Sequence, residues 1–199
     1  MPHPDRFYPI VDSLAWVERL CALRVRTIQL RAKELSPPQA LALVRATLAV
    51  AGDRLVVNDY WHAAIEAGAA HVHLGQEDLA AADVLAIRSA GLTLGVSTHD
   101  DIELENALRH DPDYVALGPI YPTTLKAMRV APQGLAPITK WKRRVGKIPL
   151  VAIGGIKLEN APAIYAAGAD SIAVVSDITL NVDPDARVCA WLAQSAVAA

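Results

Sequence analysis

The stretch RLVVNDYWHAAIEAGAAHVHLGQEDLAAADVLAIRSAG, residues 54–91, contains one pattern twice. Residues 54–58 form a short apolar run that is typical of a buried strand, and residues 60–67 have the spacing of an amphipathic helix. Residues 70–74 then repeat the strand and residues 79–89 repeat the helix, and a glycine follows each helix. Strands that alternate with helices in this way predict βαβ units, in which neighbouring strands run parallel.

The same alternation extends in both directions and gives eight strand–helix units. The predicted strands are residues 7–11, 26–31, 54–58, 70–74, 93–96, 113–117, 149–153 and 171–175, and the predicted helices are residues 13–23, 60–67, 79–89, 100–109, 135–145, 159–167 and 184–196, with one more that begins at 36–37. Eight such units form either an open doubly wound sheet or a closed barrel. Regular element lengths, and the lack of a glycine-rich dinucleotide-binding turn after the first strand, favour the barrel. We therefore predict an α/β fold, a single (β/α)8 TIM barrel over residues 1–199.

Composition narrows the class of protein. The chain has 199 residues, of which 53% are hydrophobic, and a net charge of −2. A length of this size predicts one domain. Without a basic stripe we expect no nucleic-acid partner, and without a leader or a long apolar run we expect no membrane partner and a cytoplasmic location. Cys21 and Cys189 are interpreted as small buried hydrophobes. Homo-oligomerisation is left open.

Polar side chains at the carboxyl ends of barrel strands are the first candidates for function. Gln29, Arg31 and Lys33 alternate at the end of the second predicted strand, so all three point to the same face. Two cations at a barrel mouth are costly unless they are paired or bind an anion. The alternatives are therefore an anionic ligand or a salt bridge to a neighbouring carboxylate.

Two aspartates follow neighbouring strands. Asn58 and Asp59 end the third strand, and Asp78 lies just after the fourth. Facing carboxylates repel each other unless a cation or a proton lies between them, and Mg²⁺ commonly binds one or two carboxylates together with substrate phosphates. Asp59 and Asp78 are thus predicted metal ligands, with Glu77 as a competing ligand. The alternative is that each aspartate caps the following helix.

Further candidates lie in the loops after the later strands. The loop over residues 118–134 is long enough to suggest a function. It carries Thr123, Thr124 and Lys126, whose hydroxyls and charge suit a phosphate.

The loops after strands seven and eight often form a phosphate site in barrels. Here they carry the pair Gly154 and Gly155, and Val175 with Ser176. Ser97, taken alone, fits a helix cap. His71 and His73 lack a third zinc ligand and are interpreted as residues that line the site or support it.

Six motifs occur in order at family-like spacing, and they carry a resemblance to a known family. They are Gln29-Leu-Arg-Ala-Lys33, Val57-Asn-Asp59, His73-Leu-Gly-Gln-Glu-Asp78, Gly95-Val-Ser-Thr-His99, Gly118-Pro-Ile-Tyr-Pro-Thr123 and Ala152-Ile-Gly-Gly-Ile156. The chain resembles the thiamine phosphate synthases from about residue 7 to residue 184.

The resemblance implies a magnesium-dependent transferase of thiamine biosynthesis. Such enzymes join 4-amino-2-methyl-5-hydroxymethylpyrimidine diphosphate to a thiazole phosphate, in some members a carboxylated one, and release diphosphate. The family is thought to react by departure of the diphosphate before the thiazole nitrogen attacks. The implied ligands of the pyrimidine diphosphate are Gln29, Arg31, Lys33, Asn58, Ser97 and Lys126; those of Mg²⁺ are Asp59 and Asp78; and those of the thiazole phosphate are Thr123, Thr124, Leu125, Gly155, Val175 and Ser176. The implied catalytic residues are Arg31, Lys33, Ser97 and Lys126.

Two positions depart from the family pattern. Leu125 replaces the second threonine of a Thr-x-Thr-Lys motif, which removes one hydroxyl for the thiazole phosphate. Asp177 lies where a small residue is usual. Two other functions therefore stay open: a thiazole tautomerase with the same barrel, and a non-catalytic barrel that binds a thiamine precursor. The tautomerase needs no diphosphate leaving group, so the cations of strand two favour the synthase.

Overall fold

The strands form a closed parallel barrel in which each pairs with its neighbours in the chain. The computed structural model describes residues 4–123 and 131–197. The strands are β1 (Phe7–Val11), β2 (Ile28–Leu30), β3 (Leu55–Asn58), β4 (His71–Leu74), β5 (Thr93–Thr98), β6 (Tyr114–Leu117), β7 (Leu150–Ile153) and β8 (Ser171–Val174). β1 pairs with β8, with Phe7 opposite Ile172, and this pair closes the barrel. The predicted TIM barrel is confirmed.

Helices follow the strands. They are α1 (Leu14–Ala22), α2 (Pro37–Ala51), α3 (Trp61–Ala67), α4 (Gln76–Ala81), α5 (Val84–Ser89), α6 (Asp101–Leu108), α7 (Ala136–Val145), α8 (Ala161–Ala166), α9 (Ser176–Thr179) and α10 (Pro184–Val197). Local chemistry sets their beginnings. At α2 the backbone N–H of Ser36 donates to Gln39 Oε1 at 2.9 Å, and Pro37 occupies the first helical position, where no N–H is needed.

Three predicted features differ from the structure. The helix predicted over residues 79–89 is two helices, because Asp83 caps α5 by accepting a bond from the N–H of Ala86. The short helix α9 was not predicted. Cys189 is exposed rather than buried, although both cysteines are free as expected.

Strand periodicity divides the core into two parts. Residues that face the barrel interior pack together, namely Tyr8, Ile10, Val56, Tyr114, Ala116, Val151 and Ala173. Alternate residues face the helices, where Phe7 stacks on Trp191 with ring centroids 5.5 Å apart. Gln29 lies opposite Ile10 and Val56 in the registers of β2, so it points into the interior as predicted. Within the described residues, no helix is long and apolar enough to cross a membrane.

Candidate active site

The cations after β2 lie at the carboxyl end of the barrel. The backbone N–H of Arg31 donates to the carbonyl oxygen of Val11 at 2.7 Å, which continues the β1–β2 pairing one residue past the strand. Arg31 is half-buried and Lys33 is exposed. Within residues 4–123 and 131–197, neither cation has a carboxylate at ion-pair distance. The salt-bridge alternative therefore finds no support among the described residues.

Asp59 and Asp78 come together as predicted. Burial and the nearby Asp78 carboxylate raise the pKa of Asp59 to about 6, while the Arg31 guanidinium acts in the opposite direction. The half-buried Asp78 lies in the first turn of α4, whereas the neighbouring Glu77 is exposed. Neither aspartate is an N-cap residue: the N-caps of α3 and α4 are Tyr60 and Gly75, and neither helix has a side-chain cap bond. The helix-cap alternative is therefore wrong for both.

The backbone at Asp59 supports a special role for its side chain. Its φ of 64° lies in the left-handed region, which aspartate tolerates better than most residues but still at a cost. Its N–H donates to the carbonyl oxygen of His73 at 3.0 Å, which fixes the end of β3 against β4. Two hard carboxylate oxygens, kept together although they repel each other, are a donor set that fits Mg²⁺.

Asn58 adds an unpaired donor at the same rim. Its side chain is buried, and its Nδ2 makes no hydrogen bond of standard geometry among the described residues, although its proximity to the Asp59 carboxylate acts to lower the pKa of that group. A buried amide without a partner costs free energy unless a ligand or water satisfies it. Asn58 lies opposite His73 in the register of β3 and β4, so both side chains point to the barrel interior near Asp59.

Ser97 takes part in a buried polar network and not in a helix cap. Its Oγ lies 2.7 Å from His73 Nε2, and its carbonyl oxygen accepts a bond from Gln76 Nε2 at 2.8 Å. The cap of α6 is Asp100, which accepts a bond from the N–H of Glu103 at 2.8 Å. The cap interpretation of Ser97 is therefore wrong.

His73 connects Ser97 to two buried tyrosines. Its Nδ1 lies 2.9 Å from Tyr114 Oη, and Tyr114 Oη lies 2.9 Å from Tyr8 Oη. Burial, helped by the Arg31 charge, lowers the pKa of His73 to about 3, so the ring is neutral. His71 instead bonds Thr93 Oγ1 and the carbonyl oxygen of Asp53. His71 therefore lies at the amino end of β4, away from the rim of Asp59 and Asp78, and the interpretation that it lines or supports the site is wrong.

Tyr8 and Tyr114 are not among the predicted site residues. A signal for Tyr114 lies in Gly95, its register partner on β5. A Cβ atom on Gly95 would overlap the Tyr114 ring, so the glycine leaves room for the ring to reach His73. Glycine inside a strand often marks such a close approach.

The sixth loop is held at both of its described ends. Gln133 Nε2 donates to the carbonyl oxygens of His99 and Gly118, each at 2.9 Å. On the other side, a Cβ atom on Gly155 would overlap the carbonyl oxygen of Pro122, so the glycine lets loop six lie directly on loop seven. These contacts bring the half-buried Thr123 to the predicted thiazole-phosphate side.

Three predicted residues of the same loop, Thr124, Leu125 and Lys126, lie outside the described residues.

Asp177 has a structural reason for its departure from the family pattern. It accepts bonds from Arg187 Nε at 2.8 Å and from Trp191 Nε1 at 2.8 Å, and thereby ties α9 to α10. Ser176 is the first residue of α9 and Val175 precedes it. The bonds of Asp177 to α10 therefore stabilise the segment that carries both of these predicted ligands.

The whole chain is similar to known proteins of one kind. A family model described as thiamine monophosphate synthase matches residues 7–178. A thiamine-phosphate synthase of Rhizobium etli is 56% identical over 195 residues, 96% of each chain. One of Salmonella choleraesuis is 52% identical over 179 residues, which is 88% of this chain and 85% of the relative.

Solved structures agree with this similarity. Thiamine phosphate pyrophosphorylase from Pyrococcus furiosus has a TM-score of 0.85 at 25% identity, with 97% of this chain and 96% of that chain covered. A 3-hexulose-6-phosphate synthase from Salmonella typhimurium has a TM-score of 0.71 at 16% identity, covering 98% of this chain and 100% of that chain, and shares the fold alone.

Proposed function

Because this chain belongs to the thiamine monophosphate synthase family, we propose that it makes thiamine phosphate. The substrates are 4-amino-2-methyl-5-hydroxymethylpyrimidine diphosphate and a thiazole phosphate, and the second product is diphosphate. The free cysteines Cys21 and Cys189 fit the reducing cytoplasm, where we propose that the enzyme works.

One observation supports this function more than any other. At one rim, Asp59 and Asp78 are held together near Arg31, which has no carboxylate at ion-pair distance among the described residues. A diphosphate that carries Mg²⁺ complements both features, since the metal takes the carboxylates and the phosphate oxygens take the guanidinium. Asn58 Nδ2 offers a further donor at the same place.

Asp59 and Asp78 would hold Mg²⁺, which when bound neutralises negative charge on the diphosphate oxygens. Arg31 supplies a planar fork of donors to the same group, and Lys33 and Lys126 supply point charges. These positive groups stabilise the charge that develops as the bond between the pyrimidine methylene carbon and the diphosphate oxygen breaks.

The electron pair of that bond leaves with the diphosphate, and the methylene carbon then bonds the thiazole nitrogen. No protein nucleophile is required. The residues have only to bind and orient the two substrates and to neutralise the charge of the leaving diphosphate.

The thiazole phosphate would lie across loops six, seven and eight. The close approach of Pro122 to Gly155 supports a role there for the next residue, Thr123, and Val175 and Ser176 follow β8. Thr124 and the backbone of Leu125 complete the proposed ligand set. A phosphate at the loops after strands seven and eight is the usual arrangement in barrels of this fold.

The decisive experiment is a turnover assay with the purified chain, both substrates and Mg²⁺. We expect thiamine phosphate and diphosphate in equal amounts. Isomerisation of a thiazole phosphate without diphosphate release would indicate the tautomerase instead. Binding of either substrate without any product would indicate the non-catalytic barrel.

A further inference from the structure

A chain of hydrogen bonds crosses the barrel interior between two of the proposed substrate ligands. Gln29 Nε2 donates to Tyr8 Oη at 2.8 Å, Tyr8 Oη lies 2.9 Å from Tyr114 Oη, and Tyr114 Oη lies 2.9 Å from His73 Nδ1. The last link is His73 Nε2 to Ser97 Oγ at 2.7 Å. Apart from half-buried Ser97, all members are buried.

We propose that this chain has a fixed direction, which makes the Ser97 hydroxyl a hydrogen-bond donor to the pyrimidine diphosphate and makes His73 and Tyr114 positioning residues. The inference rests on the proposed function for the identity of the ligand. The direction itself depends on the Gln29 amide, whose Nε2 donates to Tyr8 Oη, and not on the ligand.

Counting protons sets the direction. Gln29 donates through its amide N–H, so Tyr8 Oη accepts at that end and its own O–H needs another acceptor. Its other neighbour in the chain is Tyr114 Oη. Tyr114, which then accepts from Tyr8, must donate its O–H to His73 Nδ1. A neutral imidazole that accepts at Nδ1 carries its proton on Nε2.

This direction of the hydrogen bonds determines the role of the Ser97 hydroxyl. His73 Nε2–H donates to Ser97 Oγ, so the serine's own O–H is left to donate elsewhere. The carbonyl oxygen of Ser97 is already bonded to Gln76, which holds the backbone at the carboxyl end of β5. The hydroxyl hydrogen is thus directed to an acceptor of the ligand, either an oxygen of the diphosphate or a ring nitrogen.

The opposite direction leaves a buried donor without an acceptor. If Ser97 donated to His73, then His73 would donate to Tyr114 and Tyr114 to Tyr8. Tyr8 Oη would then accept from both Tyr114 and Gln29, and its own O–H would have no acceptor in the chain. A buried hydroxyl that donates to no acceptor is destabilising. The first direction gives every buried hydroxyl and the His73 ring N–H of the chain an acceptor, and leaves only the half-buried Ser97 O–H for a ligand or solvent.

The test combines nuclear magnetic resonance and kinetics. ¹⁵N chemical shifts of the His73 ring in the wild-type protein should show Nε2 protonated and Nδ1 not. Tyr114→Phe keeps the ring that fills the space over Gly95 but removes the donor to Nδ1. We expect a mixture of His73 tautomers in this variant and a decrease in kcat/KM for the pyrimidine diphosphate of about fivefold or more, with the KM for the thiazole phosphate unchanged.

Tyr165→Phe is the matched control. It removes a hydroxyl that donates to the carbonyl oxygen of Arg6 at 2.8 Å, away from the chain, and should leave the His73 tautomer and both KM values as in wild type. Tyr8→Phe should act like Tyr114→Phe, since Tyr114 loses the donor that orients it.

A wild-type His73 protonated on Nδ1 would overturn the proposed direction. Wild-type kinetics in Tyr114→Phe would overturn the positioning role. If the wild-type chain forms no thiamine phosphate, the proposed function fails, whereas the tautomer measurement still decides the direction.

Discussion

Asp177 holds Arg187 in a two-pronged ion pair, with Oδ2 2.8 Å from Nε and Oδ1 2.9 Å from Nη2. The Asp177 side chain is only 7% exposed, and the same carboxylate accepts the indole N–H of Trp191. An aspartate in place of a small residue therefore joins α9 to α10 just after β8.

Asp177→Ala should lower the free energy of unfolding by about 3 kcal/mol, since it leaves the Trp191 indole N–H without a partner and leaves Arg187 only its ion pair with the exposed Glu159. Urea denaturation measures this change. Asp185→Ala is the control, because the Arg19 and Asp185 side chains of its ion pair are 40% and 52% exposed, and such a surface pair should contribute little to stability. Equal losses in the two variants would contradict the structural role of Asp177.

Asp59→Ala should lose most of the turnover while the barrel stays folded, because one of the two proposed Mg²⁺ ligands is gone. Circular dichroism reports the fold and a product assay reports turnover, with and without EDTA. Glu77→Ala, at the exposed neighbour of Asp78, should keep wild-type activity. Full activity of Asp59→Ala in the presence of EDTA would refute the metal assignment.

The pH dependence of stability should change in Asp59→Asn. The pKa of Asp59 is raised from 3.8 to about 6, so the native carboxyl keeps its proton where the unfolded chain has lost it. Its contribution to stability is therefore present below about pH 4 and is lost as pH rises to about 6. By the size of the shift this amounts to at most about 3 kcal/mol, reduced by solvent screening.

Since asparagine does not ionise, the stability gain of Asp59→Asn over wild type should grow from about pH 4 to about pH 6 and then level off. Denaturant unfolding in EDTA at several pH values measures the gain. A gain that is independent of pH would mean that Asp59 is ionised throughout.

Arg31→Ala should lower kcat/KM for the pyrimidine diphosphate by roughly 30-fold to 1000-fold, which corresponds to about 2–4 kcal/mol of lost transition-state stabilisation. Arg31→Lys keeps the charge but loses the fork, so an intermediate loss is expected. Arg26→Ala, at an exposed residue before β2, is the control. A loss smaller than about tenfold in Arg31→Ala would show that this cation does not bind the leaving group.

Leu125→Thr should change little, because we expect Thr124 or the backbone to bind the thiazole phosphate in place of the missing hydroxyl. Thr124→Val should then raise the KM for thiazole phosphate by about tenfold, as for a lost hydrogen bond to a charged group. Kinetics with varied thiazole phosphate measure both. If Leu125→Thr clearly lowers the KM for thiazole phosphate and Thr124→Val leaves it unchanged, Thr124 is not a ligand of the thiazole phosphate.

The pair Asp59 and Asp78 could be predicted from the sequence because it depends on topology alone. Neighbouring parallel strands end at the same rim, so residues just after them meet. The polar interior could not be predicted in this way. Tyr8 and Tyr114 look like ordinary strand residues, and the contacts of Tyr114 with Tyr8 and with His73 depend on ring orientation across the barrel.

The contacts of Gln133 and the helix break at Asp83 could not be predicted from the sequence either. Gln133 reaches the carbonyl oxygens of His99 and Gly118 from the far end of a long loop, and no local pattern encodes that distance. Asp83 interrupts a run of good helix formers, and its capping bond to Ala86 outweighs their propensity.

The close approach of Tyr114 to Gly95 constrains how the chain can evolve. Gly95 has an ordinary φ, so it is required for space and not for backbone freedom. A side chain at position 95 is tolerated only if the residue at position 114 has already become smaller. If position 95 changes first, even its methyl group overlaps the ring of Tyr114. Among relatives, a larger residue at 95 should therefore be accompanied by a smaller one at 114, and the shrinking substitution should be the older of the two.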